Sequence, residues 1–229
     1  MARKPDSPAS ETSDRDRIVA ALMALLAERR FEEVAFPDVA ERAGVPLDRC
    51  RGQFSSLVAV VAAQMEATDR AVLAVRDADM AGEPPRERLF DVLMRRLEAL
   101  TPHKPAVRSL MRSARCNPLL ALTMNALAAR SQAWMLDAAG ISTAGLRGAI
   151  RAQGMACLYS EVLRVWIDDE DPGLARTMAA LDRQLGRGAW WAGRLDDLCR
   201  LVPNPSRSSR WARREERHGE DPGPQPAVV

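Results

Sequence analysis

Cysteine and histidine are scarce and scattered in this chain. Cys50, Cys116, Cys157 and Cys199 stand far apart with no C-x-x-C pair, and His103 and His218 are the only imidazoles. Zinc needs ligands clustered at short spacing, so no metal site is expected; simple buried or half-buried thiols are, with a redox sensor as the sharper alternative. Long apolar runs are missing as well: none approaches the roughly 20 residues that a helix needs to cross a bilayer. The opening MARKPDSPASETSDRDR is polar throughout, with no hydrophobic stretch for a secretory leader, and a cytoplasmic protein is expected. One-sided charge is absent too. A net charge of +2 argues against a protein that coats nucleic acid by bulk attraction. Neither a nucleophile–base pair nor a glycine-rich phosphate loop stands out, so no enzyme and no cofactor are expected.

What is present is helical periodicity. With 229 residues, 28% charged and 47% apolar, the chain can fill one or two globular domains. Ile18, Leu22, Leu25 and Leu26 mark one face of a first helix, capped by Ser13 or Asp14. Pro37 opens a helix of two turns, 37–43, because its fixed φ suits a first turn, and Gly44 permits positive φ in the turn that follows. A third short helix is expected over 46–52. Phe54 opens a fourth over 54–81, in which Phe54, Val58, Val61, Met65, Thr68, Val72 and Val75 alternate steps of four and three. At 1.5 Å per residue it reaches roughly 40 Å, enough to join two domains. Further helices are expected over 85–100, 104–115, 118–139 and 143–167, the third of these apolar on most sides. An acidic linker ending in Pro172 then opens a helix with a narrow seam of Leu174, Met178, Leu181 and Leu185. The fold class is all-α: an N-terminal three-helix helix-turn-helix domain, then a C-terminal helical bundle.

The run V-A-E-R-A-G-V at 39–45, eight residues before Phe54 and behind an apolar helix, resembles the DNA-binding region of the TetR family of bacterial transcriptional regulators. The resemblance is strongest over about 50 residues. It implies a homodimer, its last two long helices forming a four-helix interface, that binds a double-stranded DNA operator and is controlled by a small apolar ligand. The implied layout is a disordered arm (1–13), a DNA-binding domain (14–60), a ligand-binding and dimerisation domain (61–202) and a disordered tail (203–229). In a recognition helix the N-terminal part meets base edges. That places Leu47, Asp48 and Arg49 behind Pro46 against the bases, with Arg51 and Gln53 against the backbone. Phe90, Met94, Met111, Met124, Trp134 and Met135 are candidates to line a ligand cavity, since thioethers and aromatics suit a loosely specified apolar pocket; ordinary core is the alternative.

The chain departs from the family pattern at four places. Ala35 and Pro46 stand where Ser or Thr is usual, Arg51 where an aromatic is usual, and Leu57 where Lys is usual. Between 14 and 58, seven Arg face eight Asp or Glu, a weak electrostatic footprint for a DNA reader. A second resemblance covers 165–185, where Thr177, Leu181, Asp182 and Arg183 are similar to the C-terminal part of a ubiquinone-biosynthesis accessory family of TetR-type fold. It implies an alternative, a lipid- or membrane-associating protein without specific DNA binding, with Trp190 and Trp191 at the contact.

Overall fold

In the computed structural model, the backbone is described for residues 8–75 and 79–200, and side chains within 14–187 apart from 76–79 and 81. Two compact units divide the chain, residues 1–188 and 189–229; of the second, the described part is helical backbone as far as Arg200. Residues 1–7 of the expected 1–13 arm, the 203–229 tail and the side chains of Trp190, Trp191 and Cys199 lie outside the described residues.

The described residues are helical, with no strand among them. In order they form α1 (Pro8–Glu28), α2 (Phe36–Ala43), α3 (Leu47–Gln53), α4 (Leu57–Ala74), α5 (Pro85–Leu100), α6 (Lys104–Cys116), α7 (Pro118–Ala138), α8 (Gly145–Trp166) and α9 (Ala175–Arg200). Several bounds differ from the sequence expectation for local reasons. Helix α1 starts at Pro8, so residues 8–13, expected in the arm, are helical. Helix α4 is shorter at both ends than 54–81. Phe54 is the C-terminal cap of α3, and the Ser56 side chain caps α4 by accepting the Ala59 N–H at 3.1 Å. Helix α9 begins three residues after Pro172, because Asp171 takes the capping role and accepts the N–H groups of Gly173 (3.1 Å) and Ala175 (3.2 Å).

Two apolar cores share the first unit. One collects Ile18, Leu22, Leu26, Val39, Cys50, Phe54 and Val60 from α1 to the start of α4. The other collects Val72, Leu93, Leu97, Met135, Tyr159, Trp166 and Leu181 from the end of α4 through α9. Helix α4 therefore runs from one core into the other, although its 18 residues reach only roughly 27 Å and not the roughly 40 Å expected. Helix α6 does the same. Its Ala106 and Leu110 pack on the first core, and Val107 and Met111 on the second. It is also fastened to the end of α1: Ser113 Oγ accepts the Phe31 N–H at 3.2 Å and donates to Glu32 at 2.8 Å, while Ser109 donates to the Arg29 carbonyl at 2.7 Å.

Three expectations are corrected. Helix α7 is not buried on most sides: Leu119, Leu122 and Trp134 are exposed, because its neighbours cover only the arc that carries Leu120, Ser131, Met135 and Leu136. Cys116 and Cys157 are exposed thiols, while Cys50 is buried. In the expected α9 seam, Leu181 and Leu185 are buried but Met178 is exposed.

Candidate nucleic-acid interface and cavities

The α2–α3 pair is short and held from one side by α1. Ala35, before α2, carries no hydroxyl to accept an N–H of the first turn; Asp38 makes the reciprocal half of a capping box, its carboxylate accepting the Ala35 N–H at 2.8 Å. Helix α2 ends at Gly44, whose φ of +61° lies in the left-handed region. A Cβ there would come within 2.8 Å of Arg17 Nη2. That same guanidinium donates to the carbonyls of Ala43 and Gly44, so α1 holds the turn through a charged donor. Arg42 and Glu28 add a two-pronged pair at 2.8 and 2.9 Å, and the bond to Arg42 holds the Glu28 carboxyl below its ordinary pKa.

Helix α3 turns Cys50 fully inward, where its thiol bonds the Val45 carbonyl at 3.6 Å. Burial, helped by Asp14 and Asp48, pushes that thiol's pKa up. Of the residues expected to meet DNA, Pro46, Leu47, Asp48 and Arg51 are exposed on the outer face of α3, Leu47 at 50%. Gln53 is half-buried at the helix end. Arg49 is half-buried as well, ion-paired with Asp14 of α1, whose carboxylate also lies 3.4 Å from Arg17. Asp14 was expected only as a helix cap. The sequence sign of its larger role is an acid placed one turn before Ile18, on the face that packs against α3.

A first cavity, about 560 Å³, lies between α4 and α7; Met65, Leu73, Leu127 and Trp134 give it apolar lining, and Glu66, Asp69, Arg70, Arg130 and Ser131 polar lining. Asp69 and Ser131 belong to a buried network. Asp69 Oδ1 accepts Arg96 Nε at 3.1 Å and the Ser131 hydroxyl at 2.8 Å, and Arg96 Nη2 donates to Ser131 Oγ at 2.9 Å. The Arg96 guanidinium sits 5.2 Å from the centre of the Tyr159 ring, and burial raises the pKa of that phenol. Helices α4, α5, α7 and α8 thus meet around one ion pair. It was missed in the sequence, although Arg96 and Asp69 fall among the inward apolar positions of α5 and α4, which is the available signal.

The second cavity, about 490 Å³, lies beside α5 and the 169–174 turn, over Phe90, Met94 and Trp166. Lys104 reaches across it to the Asp169 carbonyl, its ammonium 5.3 Å from the Trp166 ring. Asp169 is buried and accepts the Thr177 hydroxyl at 2.6 Å and N–H at 2.9 Å. The Thr177 hydroxyl bond, with help from the backbone, keeps that carboxyl below the ordinary range.

The six residues expected around a single ligand are distributed. Phe90 and Met94 line the second cavity and Trp134 the first. Met135 is wholly inside the second core, Met111 packs against that core, and Met124 against the first. No group of side chains arranged for a metal occurs among the described residues, and no helix there is long and apolar enough to cross a membrane.

No family model and no curated protein matches the chain. Solved structures do. A TetR transcriptional regulator from Nitrosomonas europaea is 24% identical, with a TM-score of 0.60 over 77% of this chain and 98% of that one. One from a Rhodococcus species is 19% identical, with a TM-score of 0.57 over 78% and 97%. A TetR-family regulator from Streptomyces coelicolor is 16% identical, with a TM-score of 0.52 over 82% and 86%. At these identities the likeness establishes the fold.

Proposed function

From the TetR-type fold that this chain shares with those regulators, we propose that it is a DNA-binding transcriptional regulator. It acts as a homodimer whose paired α3 helices enter the major groove of a palindromic double-stranded operator, under the control of a small apolar effector. Residues 14–60 then form the DNA-binding part, and 61–202 the ligand-binding and dimerising part. The observation that carries this reading is the α2–turn–α3 unit, clamped by Arg17 and Asp14 with Leu47, Asp48 and Arg51 turned outward. Those side chains have base partners. A carboxylate accepts from cytosine N4, an aliphatic group packs on a thymine methyl, and Arg49 suits guanine O6 and N7 once it exchanges its Asp14 partner for the base. Pro46 has no N–H for a phosphate, so base contacts carry more of the affinity than is usual.

The α4–α7 cavity is the proposed effector site, because Asp69 and Ser131 both line it and both tie α4 to its neighbours. An apolar effector that fills this cavity wedges α4 away from α7 and shifts its tilt, and with it the spacing of the two α3 helices.

Selection of duplexes from a random-sequence pool by the full chain, followed by gel-shift titration at stated salt, tests the reading. Arg49→Ala is expected to cost about 1–3 kcal/mol on the selected site. Failure to enrich any sequence overturns the regulator reading. If wild type then also co-sediments with liposomes and the Trp190→Ala/Trp191→Ala variant does not, the lipid-associating alternative takes its place.

A further inference from the structure

Two helix stripes line the α4–α7 cavity. Glu66, Asp69, Arg70 and Leu73 come from α4, and Leu127, Arg130, Ser131 and Trp134 from α7. The spacing of three, one and three on each helix keeps its four residues on one face. Glu66 pairs with Arg130 and Asp69 bonds to Ser131, so the stripes run in the same direction and bring Arg70 and Leu73 level with Trp134. Asp69 and Ser131 are buried, whereas Glu66, Arg70, Arg130 and Trp134 (57% exposed) reach solvent. The first two therefore form the floor and the other four the rim.

The charges of this lining do not cancel. Glu66 and Arg130 compensate each other across the rim, and Asp69 is compensated by Arg96 behind it. Arg70 is left over: among the described residues it has no ion pair and no hydrogen bond. We infer that the cavity takes an amphipathic monocarboxylate, its carboxylate held by Arg70 and its apolar body laid along Leu73, Leu127 and Trp134. A guanidinium donates two parallel N–H bonds to a carboxylate. An organic cation would meet Arg70 and find no unpaired acid among the described lining residues. A neutral ligand would leave Arg70 unused. The inference rests on the effector reading of this cavity and narrows it: the effector is apolar in its body and anionic at one end. With Arg70 on α4 and Trp134 on α7, the bound molecule touches both helices that it has to move apart.

Titration calorimetry of the full chain without DNA tests this, with far-ultraviolet circular dichroism as the fold control. The probes are decanoate, decanol and decyltrimethylammonium, which share one tail and differ in the head. Wild type is expected to bind decanoate about 10-fold or more tighter than either of the others. Arg70→Gln should bring decanoate down to the affinity of decanol and leave decanol unchanged, and Arg70→Glu should turn the preference to the cation. Trp134→Ala should weaken every probe that binds. If a variant loses its fold, the ranking of the three probes on wild type decides. Equal binding of decanoate and decanol, a preference for the cation, or a decanoate affinity untouched in Arg70→Gln overturns the carboxylate. Where Trp134→Ala still weakens binding in those cases, the cavity stands as the effector site. No binding of any probe, or binding untouched in Trp134→Ala, overturns both.

Discussion

Gly44 shows how one residue is fixed by backbone and by neighbour together. Its positive φ disfavours any side chain, and a Cβ there would come within 2.8 Å of Arg17 Nη2, which would have to shift. Gly44→Ala is therefore expected to destabilise the fold by about 1–2 kcal/mol from backbone strain, and further if Arg17 is pushed off the two carbonyls; urea unfolding measures it. Asp169 carries a pH dependence whose sign follows from its partners. Bonds from Thr177 and nearby backbone N–H groups hold the folded carboxyl below its ordinary value. The stability it adds is complete above the unfolded carboxylate range and is lost as pH falls through the depressed folded value. Thermal unfolding followed from neutral to acid pH should show a shallower acid limb in Asp169→Asn than in wild type. Pro37 and Gly44 were legible in the sequence because each acts through its own φ. The Arg49–Asp14 pair was not, since nothing local brings residues 35 apart in sequence into contact.

At the scale of the element, α4 carries the argument. Val60 and Val61 belong to one core and Val72 to the other, so one rod senses both. Its anchor in the second body is the Asp69–Arg96 pair, whose side chains are 9% and 4% exposed. Removing one partner leaves the other charge buried and uncompensated. Asp69→Ala is thus expected to cost about 3–5 kcal/mol, while Asp69→Leu with Arg96→Met costs far less. Chemical unfolding of the two variants side by side checks this, and equal losses would deny the pair its role. The periodicity that located α4 through α8 rests on which side chains are apolar. It is blind to a charged residue on the inward arc, and for α7 it overstated burial, because a wide apolar arc does not say how many neighbours will cover it.

For the whole molecule, charge balance sets the expected behaviour on DNA. Seven Arg against eight acidic residues between 14 and 58, with Arg49 already engaged by Asp14, leave few cations for phosphates. The slope of log K against log salt is expected to be shallower than about −5, below that of a protein making six to ten phosphate contacts; a steep slope from gel shifts across a salt series would contradict this. By itself the sequence determined the all-helical class, the order of the elements and the helix-turn-helix unit, because helix periodicity, proline at a first turn and glycine at a left-handed one act within a few residues. Tertiary structure alone decided which acids and arginines meet and that the six supposed ligand residues are divided between two cavities and two cores. Those outcomes depend on which faces of distant helices come together, and no local spacing encodes that.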